Sequence, residues 1–485
     1  MFSISASAII ISICFIVVIV IIFSEKINRA VVTITAALIT YFTLIFIEHL
    51  EFSTLVDLLI GTKDDGFVNL HTLILIVGMM FIVQISDEAG LFQFIGVLAI
   101  KMSKGKPIAL MVILCTLSTV FSAIISNILA VMILIPLTIT ISRILTIDPT
   151  PFILTEAIMV NIGGTFFSIS SIPNILIVTD TGISFNEFFI NVGLFSLLVA
   201  GLTVLFFIFL YKKELKSPTK GMVSTLKEFN VWNFVQNRRL LYASMCSLVV
   251  LMISFVVIDF IPPDIIALTI AMFLTLFSTF NGLNPKTIIQ KFDFELLFYL
   301  LGIFVVAGGL EVTGVIDIIG GALFRIGAIS PILNVIVRRW AAAFLSSLID
   351  NIPITKIMIP VVGLMSETAT STPNQNYYAL SFGANWGDNL TPMGDNILVM
   401  NIAEQHKRPI KMKAFWKLGF TTTIVQLILV TIYYTVIYYT IIGITTILTI
   451  IILLGTVFIF SKYGNEQTKK IIEKTFTKFR TKVIG

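Results

Sequence analysis

The chain is poor in what a water-soluble enzyme needs. Only 12% of its 485 residues are charged, against 57% hydrophobic, and mean hydropathy is +1.02. That balance excludes a folded body with a water-facing surface and makes lipid the main solvent. The three cysteines, Cys14, Cys115 and Cys246, are scattered through apolar stretches, so their spacing describes neither a disulfide framework nor a thiolate metal site. Three histidines, equally scattered, argue against a histidine metal site or a haem redox core. Neither a nucleophile with its base nor a metal cluster is visible, and the expectation is a protein that is not an enzyme and holds no cofactor.

What is present is apolar length. Runs such as 8–23, 70–85, 188–210 and 421–442 approach or exceed the roughly 20 residues a helix needs to cross the hydrocarbon core, and about eleven spans are expected. The first lacks a basic leader and a small-residue cleavage site, so it is read as a retained helix. Basic residues gather in three places: Lys212, Lys213, Lys216, Lys220, Lys227, Arg238 and Arg239; Lys407, Arg408, Lys411, Lys413 and Lys417; and the tail from 469 to 482. These segments should lie inside, because short basic loops resist translocation. Segments 48–65, 180–187 and 366–376, with Lys63 their sole Lys or Arg, then fall outside. The expectation is a multi-pass protein of the cell membrane, N-terminus outside and C-terminus cytoplasmic.

A gapless internal repeat runs at an offset of 224 residues. DEAGLFQFIG from Asp87 lies over EVTGVIDIIG from Glu311, Pro107 over Pro331, SNI at Ser126 over DNI at Asp350, Pro136 over Pro360, and Asn161 over Asn385. The loop after the Asn161 helix is acidic and that after the Asn385 helix basic, which makes the halves inverted in topology. The fold class expected is therefore an all-α polytopic membrane protein of two inverted-topology repeats, each with a re-entrant helical hairpin and a broken helix. The expected organisation is a first repeat at 1–211, a basic cytoplasmic linker at 212–239, a second repeat at 240–440, an extra span at 441–463 and a basic cytoplasmic tail at 464–485. The tail, basic and interleaved with Ile and Phe, suits an anionic leaflet better than a nucleic acid, and no nucleic-acid partner is expected.

Between Pro107 and Arg143 both ends carry cytoplasmic-type charge, so the segment must enter and return, turning at Ser126 and Asn127; its counterpart turns at Asp350 and Asn351. The next helix in each half reads NIGGTFFSISSIPN from Asn161 and NWGDNLTPMGDN from Asn385, sequences that should unwind. Half-helix N-termini attract anions and free carbonyls coordinate cations, and broken helices at matching positions mark transporter sites. Close helix packing by small residues is the plainer reading of any one such run. Intramembrane charge is costly and marks function, which singles out Asp350, Lys356, Asp388 and Asp395. Lys356 is expected to pair with Asp388 or Asp395, either standing in for a coupling cation or as a structural ion pair. Arg338 and Arg339 could attract an anion from outside, but snorkelling to the headgroups is the favoured reading.

With VGMMFIVQISDEAGLF from Val77, DFELLFYLLGIFVVAGGLEVTG from Asp293, SSLIDNIPI from Ser346 and GANWGDNLTPMGDN from Gly383, the chain resembles the ion transporter superfamily. It is most similar to the branch of arsenite permeases, P-protein-like permeases and NhaD-type antiporters, related to citrate transporters and divalent anion/sodium symporters. The resemblance implies a scaffold domain, a mobile transport domain, commonly a homodimer, and elevator-like movement. It implies hairpin-tip ligands at Ser126, Asn127, Asp350 and Asn351. Asn161, Gly163, Gly164, Thr165, Asn174, Asn385, Gly387, Asp388, Asn389, Thr391, Asp395 and Asn396 would line the unwound segments, with Na⁺ near Asp350, Asn351 and Asn389. Asp388 and Asp395 stand where such relatives are usually small. The function expected is secondary transport of an arsenite-like or citrate-like anion driven by H⁺ or Na⁺, with a Na⁺/H⁺ antiporter as the alternative and a channel behind both.

Overall fold

The computed structural model describes all residues except 1–4, 25, 65, 216–229, 259, 328–330, 367–372, 393–394, 439–442, 451–465 and 485. The described residues contain helices and no strand. In the first half these are α1 (Ala6–Ser24), α2 (Arg29–Phe46), α3 (Ser53–Ile60), α4 (Val68–Glu88), α5 (Leu91–Met102), α6 (Pro107–Ile124), α7 (Asn127–Leu145), α8 (Thr150–Gly163) and α9 (Ile172–Thr181), closed by α10 (Phe185–Tyr211). The second half holds α11 (Arg238–Val257), α12 (Pro263–Phe280), α13 (Pro285–Gln290), α14 (Phe294–Val312), α15 (Val315–Gly327), α16 (Pro331–Leu348), α17 (Asn351–Ser366), α18 (Pro373–Gly387), α19 (Asp395–Gln405) and α20 (Met412–Tyr438), before the tail helix α21 (Glu466–Ile484). Nine helices among the described residues are long and apolar enough to cross a membrane. Most of the extra span expected at 441–463 lies outside the described residues, as does much of the 212–239 linker.

Both expected turns form, each through the local chemistry of its sequence. Helix α6 stops at Ile124, Ile125 and Ser126 are extended, and the Ser126 hydroxyl caps α7 by accepting from Leu129 N. Capping meets one of the N–H groups a helix start leaves orphaned. The arms then run in opposite directions along α8. On α6, Cys115 meets Thr155 and Ser122 meets Val160, whereas on α7 Asn127 meets Asn161 and Thr138 meets Glu156. The second hairpin repeats this: Ser346 of α16 bonds Ala384 O, while on α17 Asn351 meets Asp388 and Gly363 lies against Tyr377.

Glycine permits the closeness. A Cβ on Gly163 would stand 2.9 Å from Ser122 Cβ, and one on Gly387 would stand 2.8 Å from Ala343 Cα. Side-chain-free positions let backbones approach where lipid supplies no hydrophobic drive between helices.

The halves are not side-by-side units; α2 packs along α14 and α4 along α12, each pair joining one half to the other. Apolar side chains such as Phe46, Val20, Leu205, Phe273 and Phe280 are exposed, as a lipid-facing surface requires. Arg339 corrects the snorkelling expectation. Its guanidinium is buried, 3.8 Å from the ring centre of Tyr434, because α20 covers this face of α16 and offers an aromatic ring in place of a headgroup. The Arg338 side chain lies outside the described residues. The tail helix packs on the end of α10, with Phe476 edge-on to Phe209 at 5.8 Å and Arg480 Nε donating to Leu210 O at 2.5 Å.

Candidate substrate and ion site

A cavity of about 480 Å³ opens where the second hairpin tip meets the start of α2. The tip contributes Ser347, Asp350 and Asn351, the unwound segment after α18 contributes Asp388 and Thr391, and α19 contributes Asn401. Ile128, beside the first tip, completes that wall, and opposite stand Lys26, Arg29 and Glu295. Thr391 is fixed by donating from Oγ1 to Ser347 O at 2.6 Å. Arg29 spans two carboxylates: Nε lies 3.3 Å from Glu295 Oε1 and Nη1 3.8 Å from Asp350 Oδ2. Tyr299 donates its hydroxyl to the same Asp350 oxygen at 3.1 Å. Asp350 is thus charge-balanced by Arg29 at the start of α2. Lys26, on the same wall, makes no ion pair among the described residues.

Behind the cavity lies a buried amide network joining the helix ends that flank the two breaks. Asn127 Nδ2 donates to Asn161 Oδ1 at 3.0 Å, Asn161 Nδ2 to Asn389 Oδ1 at 2.8 Å, and Asn389 Nδ2 to Ile158 O at 3.2 Å. In parallel, Asn174 Oδ1 accepts from Ser381 Oγ at 2.7 Å and Asn385 Nδ2 at 2.9 Å, while Asn174 Nδ2 holds Gly164 O at 2.7 Å. Asn385 Nδ2 also donates to Ser381 O. Two acceptors fix the orientation of that amide, and its Oδ1, fully buried, is left without a hydrogen-bond partner. An unpaired buried oxygen is costly in a membrane interior.

That oxygen faces the space above Gly164. A Cβ there would lie 3.2 Å from Asn385 Oδ1, 3.3 Å from Asn127 Oδ1 and 3.4 Å from Asn161 O. Three neutral oxygens therefore converge on a point that only glycine leaves free. Among the described residues no group of three or more His, Cys, Asp or Glu could hold a metal, and amide and carbonyl oxygens are the ligands that a hard cation takes.

The second half fills the equivalent space. Asp388, offset by 224 from Gly164, accepts from Ser346 Oγ at 2.6 Å and Asn351 Nδ2 at 2.6 Å, and Asn396 Nδ2 donates to its backbone oxygen at 2.8 Å. The three residues expected to share Na⁺ do not converge: Asp350 turns to Tyr299 and Arg29, Asn351 to Asp388, and Asn389 to Asn161 and Ile158.

Lys356 corrects a further expectation. It donates to Asn69 Oδ1 at 3.0 Å and Asp180 Oδ2 at 3.1 Å and, among the described residues, makes no ion pair with Asp388. Six residues beyond Asp350 is over a turn and a half of helix, which carries Lys356 away from the tip. The side chain of Asp395 lies outside the described residues. Gly163 and Gly387 act through close packing, and Thr165 is held among Ile162 O, Ser196 and the Trp386 indole. Ser126 is exposed and serves as a cap. Lys26, Arg29, Glu295 and Asn401 escaped the sequence reading because they fall outside the repeat's broken elements. The one signal was two cations in the short gap between the first two apolar runs.

Two helical hairpins and two interrupted helices within a bundle of apolar surface, with a polar cavity at the second hairpin tip, are the architecture of a multi-pass membrane transporter. The family model described as citrate transporter matches residues 18–383 and again 261–474. The chain belongs to the citrate transporter family and is a membrane anion transporter. An uncharacterized transporter of Mycobacterium tuberculosis is 27% identical over 428 residues, covering 86% of this chain and 96% of the relative. The human P protein is 26% identical over 440 residues, covering 74% of this chain and 52% of that protein. The crystal structure of the Alcanivorax borkumensis YdaH transporter shares the fold, with a TM-score of 0.58 at 15% identity over 79% of this chain and 86% of that one.

Proposed function

We propose that the protein is a secondary active transporter of a small organic anion of the citrate or dicarboxylate kind, with an arsenite-like oxyanion as the other candidate substrate, coupled to Na⁺ or H⁺. The observation that carries this reading is the cavity of about 480 Å³ with Lys26 and Arg29 facing a hairpin tip. Lys26, which makes no ion pair among the described residues, and Arg29, which would exchange Glu295 and Asp350 for substrate, suit a solute bearing more than one carboxylate, since Arg pairs with carboxylates in a planar, bidentate way. The oxygens around Gly164 suit Na⁺.

In this reading the hairpins and unwound segments form a transport domain, and α2, α4, α12 and α14 belong to a scaffold against which it moves as an elevator, commonly within a homodimer. The halves are inverted, the N-terminus lies outside the cell membrane and the C-terminus inside, and the cavity lies on the side of the α1–α2 loop, the inner side of that threading. The protein performs no covalent chemistry. Asp350, Asp388 and Glu295 around one cavity favour the second reading, a Na⁺/H⁺ antiporter.

Purified full-length protein in proteoliposomes, under an imposed Na⁺ or pH gradient, tests the proposal. Labelled citrate should accumulate, and more weakly when Arg29→Met removes the cation opposite the tip. Accumulation of arsenite alone would move the substrate class, and Na⁺-driven proton movement with no anion uptake would replace the reading with the antiporter.

A further inference from the structure

Glu156 has no place in the site described above. It sits in the middle of α8, which is buried from Pro151 to Gly163, and is itself fully buried. Its Oε1 is 2.6 Å from Thr138 Oγ1 of α7, and its Oε2 has no hydrogen-bond partner. From α6 the neighbouring titratable group is Cys115. The charged groups on the other elements packed against α8 are engaged or remote. Arg143, at the far end of α7, donates to His406 O, and Asp388 accepts from Ser346 and Asn351. Glu404 of α19 and Lys413 of α20 are exposed, Lys417 is half-buried, and the Asp395 side chain lies outside the described residues. Neither α10 nor α18 carries a Lys, Arg or Asp; Glu187 at the start of α10 accepts from Asn374 and Tyr378. No ion pair reaches Glu156 among the described residues.

An ionised carboxylate so placed is strongly disfavoured, because one hydroxyl cannot replace its hydration. A neutral carboxyl fits: its O–H donates to Thr138 Oγ1, and the oxygen left over is a weakly demanding carbonyl. Packing does not require the group. The position offset by 224 in the second half is Leu380, equally buried on the equivalent helix beside the equivalent hairpin. Glu156 is also near the ion site, five residues before Asn161 and thus roughly 7–8 Å along the helix axis.

We propose that Glu156 is a proton-binding site gated by the first hairpin. With α6 and α7 closed on α8, the carboxyl keeps its proton. When the arms part and water enters, the O–H bond breaks, the proton passes to water and a carboxylate remains beside the amide network. Each cycle thereby couples one proton to movement of the hairpin. The coupling half of this inference rests on the transport reading; the protonation half does not.

Infrared spectroscopy of the full-length protein in lipid tests protonation without any flux. Wild type should show a protonated-carboxyl C=O band at neutral pH that Glu156→Gln lacks and that Thr138→Val moves to higher frequency. Identical spectra for wild type and E156Q overturn the proposal, and T138V decides should E156Q not fold. In proteoliposomes with labelled citrate, a pH difference of one unit should change wild-type accumulation about tenfold per coupled proton, and E156Q should lose that response. An unchanged response in E156Q overturns the coupling. Absence of citrate movement from both proteins counts against the transport reading, and the infrared result then still decides the proton site.

Discussion

The two hairpins make the same backbone contacts and opposite chemistry. Ser122 bonds Val160 O in the first and Ser346 bonds Ala384 O in the second; Gly163 lies against Thr119 and Gly387 against Ala343. Between tip and unwound segment, however, the first half has Gly164 and a convergence of neutral oxygens, and the second has the Asp388 carboxylate. One scaffold carries neutral oxygens around a glycine in one half and a hydrogen-bonded carboxylate in the other. What the tips share is geometry. What differs is one position in the repeat, Gly164 in the first half and Asp388 in the second.

The sharpest way to break the comparison is to interchange those side chains. Gly164→Asp places a carboxylate where three oxygens converge, and Na⁺-dependent uptake should fall by roughly 100-fold or more, in line with overpacking by 1–3 kcal/mol plus displacement of the ion. Uptake against a Na⁺ series in proteoliposomes measures it, and uptake with wild-type Na⁺ dependence would remove the pocket from the mechanism. Asp388→Gly should cost about 10-fold in citrate uptake, because Ser346 and Asn351 lose a charged acceptor.

Gly163→Ala and Gly387→Ala sharpen the comparison from its shared side. Each should destabilise by about 1–3 kcal/mol, and by similar amounts, since Gly163→Ala forces α6 from α8 and Gly387→Ala forces apart the equivalent pair, α16 and α18. Thermal unfolding in detergent should show two comparable shifts; a large shift in one alone would mean that the halves pack differently. The smallest effect belongs to Lys356→Met. Its pair with Asp180 is partly exposed, so about 1 kcal/mol of stability should be lost. If ion dependence stays as in wild type, Lys356 is no substitute for a coupling cation.

Legibility from sequence followed the repeat. Ser126, Asn127, Asp350 and Asn351 could be placed at turns because charge at both ends of one apolar stretch forbids a crossing, and the breaks after Gly163 and Gly387 because polar, glycine-containing runs interrupt helices at matching positions, although Asn161, Asn174 and Asn385 themselves stay helical. Partnerships were not legible. Lys356 meets Asp180 and Asn69, 176 and 287 residues away, and nothing local encodes such a distance. Arg29 joins the cavity only because α2 of one half packs along α14 of the other, which brings Glu295 and Tyr299 to it.

The sequence by itself determined the solvent, the helices, the places where they stop and the positions of four broken elements, because hydropathy, capping and glycine act within a few residues. The tertiary structure decided which polar atoms face one another: that Asn385 offers a bare oxygen to Gly164, that Asp388 takes the amide of Asn351, and that Glu156 has a single hydroxyl for company. In an apolar interior each polar group must find a partner or an ion, and that choice is made by the packing of helices far apart in the chain.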